Sequence, residues 1–143
     1  MSATPRTHRR AFLCWCCAGV ATLVAGPAGA QTPPAAAGGV TRTIMHRADG
    51  PGGQLVSIQA MAEVAAGVVV ARHTHPGVET GYFVSGGGTL MVKGQPDREV
   101  KAGDSYLVPA ETPHEFKNGA MPTKLLATYV VDKDKPLTSP APA

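Results

Sequence analysis

The sequence predicts an all-β domain, built as an antiparallel sandwich or barrel. Its 143 residues, 43% of them apolar, are enough for one packed domain. Only 16% of the residues are charged, while glycine occurs 17 times and proline 13 times, a composition that favours short strands joined by turns. Between residues 40 and 131, short apolar runs also alternate with groups of Gly, Pro and Asp, as consecutive strands do. Closing so small a sheet would remove its exposed edges.

Seven of these runs are predicted as strands. They are residues 55–61, 67–75, 79–84, 89–92, 105–108, 114–118 and 125–131. Turn signals such as Pro76-Gly77 and Gly86-Gly87-Gly88 separate them. Residues 60–66 have helical propensity, but Gly67 and the three valines after it end that tendency quickly. Residues 93–101 alternate in charge and are interpreted as a solvated hairpin tip.

The first 30 residues have the three-part layout of a secretory signal peptide. Three arginines and no acid come first, residues 11–25 are mostly small or apolar, and small residues lead to an expected cleavage after Ala30. The pair Arg9-Arg10 resembles the twin-arginine export signal, and ordinary secretion stays open because both routes share this layout. The apolar stretch is shorter than the ~20 residues that span a bilayer, so no stable membrane anchor is expected after cleavage. We therefore expect an exported protein, periplasmic or secreted.

Removal of this signal would change the composition. All three cysteines lie within it, so the mature chain would have no disulfide, thiolate nucleophile or cysteine metal site. Three of the 13 basic residues lie there too, and the remaining 10 match the 10 acidic residues. A neutral mature chain gives no reason to expect a nucleic-acid partner. Of that chain, residues 31–39 are expected to be a flexible lead-in, residues 40–131 the barrel, and residues 132–143 a flexible tail.

Three histidines and one glutamate indicate a metal site. His73 and His75 are two apart on a predicted strand and so share a face, and Glu79 opens the next strand after the Pro76-Gly77 turn. His114 starts a later strand and could supply a third imidazole from across the barrel. Such a set suits a divalent transition metal. Taken alone, a His-x-His pair on a strand is also typical of solvated or core histidines.

The two segments together resemble the two signature motifs of the cupin family. Residues 67–86 match Gly-x5-His-x-His-x3-Glu-x6-Gly at every fixed position. Residues 103–118 match Gly-x5-Pro-x-Gly-x2-His-x3-Asn except at Glu111, where glycine is usual. If the loop keeps a positive φ there, glutamate costs about 1–2 kcal/mol.

The resemblance implies a double-stranded β-helix, the cupin or jelly-roll barrel, with one divalent metal held by His73, His75, Glu79 and His114. Fe(II), Mn(II), Ni(II), Cu(II) and Zn(II) suit these ligands better than Ca(II) or Mg(II). In an octahedral arrangement two positions stay open for water, dioxygen or a chelating substrate, which is typical of a catalytic site. The resemblance also implies a small-molecule substrate or ligand and a homodimer formed through sheet edges.

Strand alternation extends the site to pocket-lining candidates. Gly81 and Phe83 share a face with Glu79, and Phe116 and Asn118 share one with His114. Gly81 would leave space beside the metal and the two phenylalanines would form an apolar wall, although each could equally be barrel core. Asn118 is expected to have a structural, hydrogen-bonding role. Tyr82, Tyr106 and Tyr129 are candidate hydrogen-bond donors to the ligands, or rim and interface residues.

Three functions are compatible with a metal-binding barrel of this kind. The first is a metal-dependent oxidoreductase, most simply a dioxygenase acting on a small organic substrate. The second is non-redox metal catalysis such as isomerisation, lyase chemistry or hydrolysis, for which Glu63, Tyr106 and Glu111 could move protons. The third is an exported metal or ligand binder without catalysis. A serine-hydrolase elbow, a Walker motif and a dinucleotide glycine motif are all absent from the sequence.

Overall fold

The protein is described by a computed structural model covering residues 35–142. Within that range the chain forms eleven strands and one 3-10 turn, Pro51–Gly53. The strands are β1 (Ala35–Ala37), β2 (Val40–Asp49), β3 (Leu55–Val64), β4 (Val69–Thr74), β5 (Gly77–Ser85), β6 (Gly87–Val92), β7 (Arg98–Lys101), β8 (Ser105–Val108), β9 (His114–Asn118), β10 (Thr123–Asp132) and β11 (Ser139–Pro140). The all-β prediction is confirmed.

The strands form two antiparallel sheets. One has six strands in the order β1-β2-β3-β10-β5-β8, and the other has five in the order β11-β4-β9-β6-β7. Every inward-facing position of β3 from Val56 to Val64 is buried, while the residues between them are more exposed, as expected for a strand with one face on the core. Within residues 35–142 there is no helix long and apolar enough to span a membrane.

The core consists of two apolar clusters. The first lies on the six-stranded sheet and comprises Val56, Ile58, Ala60, Ala127, Tyr129 and Val131. The second joins the two sheets and comprises Phe83, Leu90, Val92, Val100, Val108 and Phe116. Both clusters are built from buried, inward-facing side chains of the strands.

The seven predicted strands are present, and two of them have the bounds expected from the sequence. The helical propensity of residues 60–66 is not expressed, because β3 continues to Val64 and is hydrogen-bonded on both sides, to β2 and to β10. Sequence reasoning missed β2 and also β7, which lies in the segment interpreted as a hairpin tip. Both strands carry too few apolar residues to show an alternating pattern.

Both segments expected to be flexible contain paired strands. Residues 35–37, in the expected lead-in, pair with β2 through a turn at Gly38 and Gly39, which have φ of 58° and 84°. In the expected tail, Ser139 and Pro140 pair with β4, and Leu137 packs against the first core cluster. Composition does not reveal this backbone pairing. The expected signal peptide and its cleavage site lie outside the described residues.

Candidate metal centre

The four predicted ligands come together between the two sheets. His73 lies in β4, His75 directly follows that strand, Glu79 lies in β5 and His114 begins β9. All four are buried, with exposed fractions between 2% and 9%. His73 and His114 are register partners on neighbouring strands, next to a bulge between Val70 and His73. The bulge changes the direction of the side chains at the end of β4, as bulges near functional sites often do.

Each histidine ring is oriented by a backbone carbonyl. The Nδ1 contacts are His73 with Ala71 O at 2.7 Å, His75 with Leu137 O at 2.5 Å, and His114 with Thr112 O at 3.0 Å. Because a carbonyl oxygen only accepts, Nδ1 carries the proton and donates it in each case. The lone pair of each Nε2 is then free to bind a metal, an arrangement that commonly supports metal-ligating histidines.

The ligand atoms are spaced as metal ligands would be. One ligand atom from each of the four residues lies within 4.8 Å of all the others. Glu79 Oε2 is 3.0 Å from both His75 Nε2 and His114 Nε2. Neighbouring ligands about 2.1 Å from a metal and at right angles to one another are about 3.0 Å apart.

Three buried atoms of this cluster have no hydrogen-bond partner within the described residues: His75 Nε2, Glu79 Oε2 and His114 Nε2. Buried polar atoms without partners are rare and costly. A divalent cation among them would satisfy all three. The residues therefore fit a transition metal bound by three nitrogens and one oxygen.

The electrostatics of the site favour the protonation states that bind a metal. Burial opposes ionisation of Glu79, but its contacts with the His114 and His75 rings outweigh burial and hold the pKa of this carboxyl well below its usual range. Burial, followed by the charge of His114, lowers the pKa of His73 from 6.5 to about 4. At neutral pH the site therefore offers a carboxylate and a neutral His73.

Tyr106 and Tyr129 are the tyrosines that reach the site. The Tyr106 hydroxyl donates a hydrogen bond of 2.7 Å to Glu79 Oε1, and the Tyr129 ring packs 4.9 Å from that of His75. Burial, and then the charge of Glu79, raises the pKa of both hydroxyls, so both stay protonated donors at neutral pH. Tyr82 is 49% exposed and does not line the chamber beside the ligands.

A chamber of about 40 Å³ adjoins the ligands. Phe83 and Phe116 line it, in agreement with the apolar wall expected from the sequence. Gly81 does not line it, and the expectation that Gly81 leaves space for a ligand is wrong. A Cβ at this position would overlap the ring of Tyr106, its register partner on β8, so the missing side chain makes room for the tyrosine.

Asn118 does not line the chamber either, which corrects the other pocket assignment. Its Nδ2 donates to the carbonyls of Val64 and Ala65, and its Oδ1 accepts from Thr123 Oγ1 at 2.6 Å. These bonds tie β9 to the end of β3 and the start of β10. The structural role expected of Asn118 matches this network.

The proline-framed loop before His114 keeps the left-handed backbone of its motif. Glu111 has φ of 56°, the region that favours glycine. Its N–H donates a 2.9 Å hydrogen bond to His75 O, which ties the loop to a ligand residue. Of the three candidate proton carriers, Glu111 is exposed and Glu63 pairs with Lys124 at the surface, so Tyr106 is the one at the site.

Sequence reasoning missed Leu137 and Arg42. The carbonyl of Leu137 orients His75 from 62 positions away, in a segment whose composition resembles a linker. Arg42 lines the chamber from β2. No motif marks either residue. An alternating apolar pattern in β2 would indicate that Arg42 faces inward, but this strand has too few apolar residues for such a pattern to be recognised.

Comparisons with known proteins agree with this fold. Residues 60–129 match the cupin domain family Cupin_2. A curated relative, an uncharacterized protein of Methanocaldococcus jannaschii, is 37% identical over 71 residues, which cover 48% of this chain. The match covers 57% of that relative, so the chain spans little more than half its length.

Solved structures with low sequence identity share the fold. An RmlC-like cupin from Shewanella frigidimarina has a TM-score of 0.58 at 21% identity, over 73% of this chain and 87% of its own. A Lactobacillus farciminis oxalate decarboxylase has a TM-score of 0.60 at 22% identity, and the match covers 75% of this chain and 32% of the decarboxylase chain. The DMSP lyase DddQ from Ruegeria pomeroyi has a TM-score of 0.56 at 21% identity, and the match covers 68% of this chain and 51% of the lyase chain. Residues 60–129 therefore resemble a cupin domain, and these findings support membership of the cupin superfamily. The predicted double-stranded β-helix is confirmed.

Proposed function

We propose that the protein is a metal-dependent oxidoreductase of dioxygenase type that acts on a small organic molecule. The observation that carries this proposal is the cluster of buried, unpartnered Nε2 and carboxylate atoms beside a small apolar chamber. His73, His75, Glu79 and His114 would hold the metal. A redox-active divalent metal bound there would supply the electron transfer that lets dioxygen react with an organic molecule.

The protein's own residues prepare the site for this reaction. The carbonyls of Ala71, Leu137 and Thr112 hold the three rings in one tautomer. Tyr106 holds the Glu79 carboxylate in place and keeps its own proton. The apolar side chains of Phe83 and Phe116 line the chamber and disfavour water beside the ligands.

The size and lining of the chamber support dioxygen as one reactant. A volume of about 40 Å³ suits a molecule of two or a few atoms, and the lining is mostly apolar, as is dioxygen. A larger substrate would have to approach from outside this chamber. In a dioxygenase reaction both oxygen atoms enter the organic product, so the substrate supplies all four electrons and no separate reductant is needed.

Tyr106 favours a second candidate, non-redox lyase or isomerase chemistry. Tyr106 lines the chamber and its hydroxyl donates to the ligand Glu79, so this residue could take part in moving a proton to or from a substrate. The names of two structural neighbours, an oxalate decarboxylase and a DMSP lyase, describe non-oxygenase reactions. Under this alternative the protein would turn over substrate without consuming dioxygen.

Metal content and dioxygen uptake test the proposal. Protein folded in the cytoplasm should contain close to one transition metal per chain, measured by mass spectrometry. It should then consume dioxygen with at least one member of a panel of phenols, enediols and thiols, and the product should take up both atoms of ¹⁸O₂. A folded chain that takes up no metal would contradict the proposal, and turnover without dioxygen would establish the non-redox alternative. A metal-loaded chain with no turnover would indicate a binding protein.

Ligand variants connect this activity to the site. His75→Ala and Glu79→Gln should each abolish both metal binding and turnover. His46→Ala is the matched control, because His46 is exposed on β2, away from the four ligands. Full activity in His75→Ala would mean that the chemistry takes place elsewhere.

We further propose export through residues 1–30 and a homodimer. Export is tested by fractionating cells that make the full chain, with a mature N-terminus expected after Ala30. The expected dimer forms through sheet edges, and the edge strand β8 supports it because Leu107 on that strand is 56% exposed. Light scattering should give twice the mass of the chain, and a monomer would reject the dimer.

A further inference from the structure

A second, larger cavity opens beside the metal chamber. This outer cleft has a volume of about 600 Å³, in the range of small-molecule sites. Its lining includes Val40, Arg42, Val70, Arg72, His73 and Pro140. Four of these residues, Val40, Arg42, Val70 and His73, also line the metal chamber. The cleft and the chamber therefore share a wall that includes the ligand His73.

The cleft has two positively charged side chains in its lining. Arg42 and Arg72 line it, and no Asp or Glu is among the described lining residues. The Nε atoms of both arginines are buried and lack a hydrogen-bond partner within the described residues. Each guanidinium therefore has a donor that the described residues leave unsatisfied.

Arg42 stands at the boundary of the two cavities. It contributes to both linings, and its charge acts on the hydroxyls of Tyr106 and Tyr129, opposing the rise in their pKa caused by burial. Arg72 immediately precedes His73 on β4 and lines only the outer cleft. The Arg42 guanidinium therefore lies where the cleft adjoins the chamber, and the Arg72 guanidinium lies in the wall of the cleft alone.

We propose that the cleft binds the carboxylate of the substrate through Arg42 and Arg72, so that the substrate is a small organic acid with an apolar body. A carboxylate offers the planar pair of acceptors that matches the guanidinium fork. The apolar body would contact Val40, Val69 and Pro140. The inference rests on the proposed function, because it names the substrate class for the same metal site.

Ligand titration tests this assignment without using turnover. Phenylacetate, the neutral phenylacetamide and phenyl phosphate are titrated into isotope-labelled protein at low salt, and affinities are measured from NMR shifts, with and without Zn(II). Phenylacetate should bind about tenfold more tightly than phenylacetamide, since only the anion satisfies the arginines. The largest shifts should fall on residues of the cleft.

Variants identify the side chains responsible. Arg42→Gln and Arg72→Gln should each reduce the preference for the anion, and the double variant should bind acid and amide equally. Arg47→Gln is the matched control, because Arg47 is exposed on the same strand as Arg42 and does not line the cleft; it should keep the full preference. If Arg42→Gln does not fold, Arg42→Lys, which keeps the charge and loses the fork, should bind phenylacetate more weakly than the original chain.

Three results would overturn the assignment. These are equal binding of acid and amide by the original chain, a preference that survives in the double variant, and tighter binding of phenyl phosphate than of phenylacetate. Metal content is measured on the same samples. An arginine-dependent preference in a chain that takes up no metal would leave the anion site intact and contradict the proposed function, whereas a metal-loaded chain without the preference would contradict the anion site alone.

Discussion

The C-terminal segment provides the most direct test of how the metal site is supported. The carbonyl of Leu137 accepts the Nδ1 proton of His75, Ser139 and Pro140 pair with β4, and the Leu137 side chain packs on the first core cluster. A chain that ends at Lys135 loses all three interactions. It keeps His75 itself, so any change in metal affinity reports on the support of the ligand.

The expected magnitude follows from these contacts. Loss of the partner that orients a metal-bound histidine typically lowers metal affinity 10- to 100-fold, which is about 1.4–2.7 kcal/mol. Loss of the half-buried Leu137 side chain should cost about a further 1–2 kcal/mol of folding stability. The two effects are separable. Leu137→Ala keeps the backbone carbonyl, and so should lower the free energy of unfolding with little change in metal affinity.

Competition with a chromophoric chelator for Zn(II) measures the affinity, and urea denaturation measures the stability. A chain ending at Ala141 is the control, because it keeps β11 and the hydrogen bond from Ala141 N to Arg72 O. It should behave as the full chain does. If the chain ending at Lys135 is folded and binds Zn(II) as tightly as the full chain, the Leu137 carbonyl does not support the site and the argument is wrong.

Three further predictions concern the same domain. Glu111→Gly removes a left-handed non-glycine residue and should stabilise the chain by up to about 1 kcal/mol, while Ala110→Gly, at a position without positive φ, should destabilise it; equal urea midpoints would contradict this. Tyr106→Phe removes a hydrogen bond to the buried site carboxylate and should cost about 1.5–3 kcal/mol in the same assay, whereas Tyr82→Phe, at an exposed position, should be neutral. Because the pKa of His73 is about 4 in the folded chain and 6.5 in the unfolded chain, the unfolded state binds more protons between these values. The metal-free protein should therefore lose stability as pH falls from 6.5 to 4, and melting temperatures in a chelator that do not change over this range would refute the assignment.

Local sequence patterns were sufficient for the fold class and for the set of candidate ligands. Period-two alternation placed His73 and His75 on one face, and a Pro-Gly turn brought Glu79 back beside them. These relations depend on neighbours within seven residues, so strand geometry alone determines them. The spacing of the second motif, with Pro109 and His114, then indicated the third imidazole through the resemblance to cupins.

The same alternation rule was insufficient for the space around the ligands. It placed Gly81 on the face of Glu79 correctly, but the neighbouring strand fills the gap with Tyr106, its register partner. Likewise Asn118 shares a face with His114 yet is used in hydrogen bonds between strands. Alternation tells which face a side chain takes, and only the pairing of strands tells what occupies that face.

The sequence by itself therefore determined an all-β domain with three histidines and a glutamate spaced for one metal. Only the tertiary structure decided that Leu137 orients His75, that Tyr106 holds Glu79 and that Arg42 lines both the chamber and the outer cleft. The physical reason is sequence separation. The two hydrogen bonds join residues 27 or more positions apart, so they depend on how distant parts of the sequence pair in the fold, which no local pattern records.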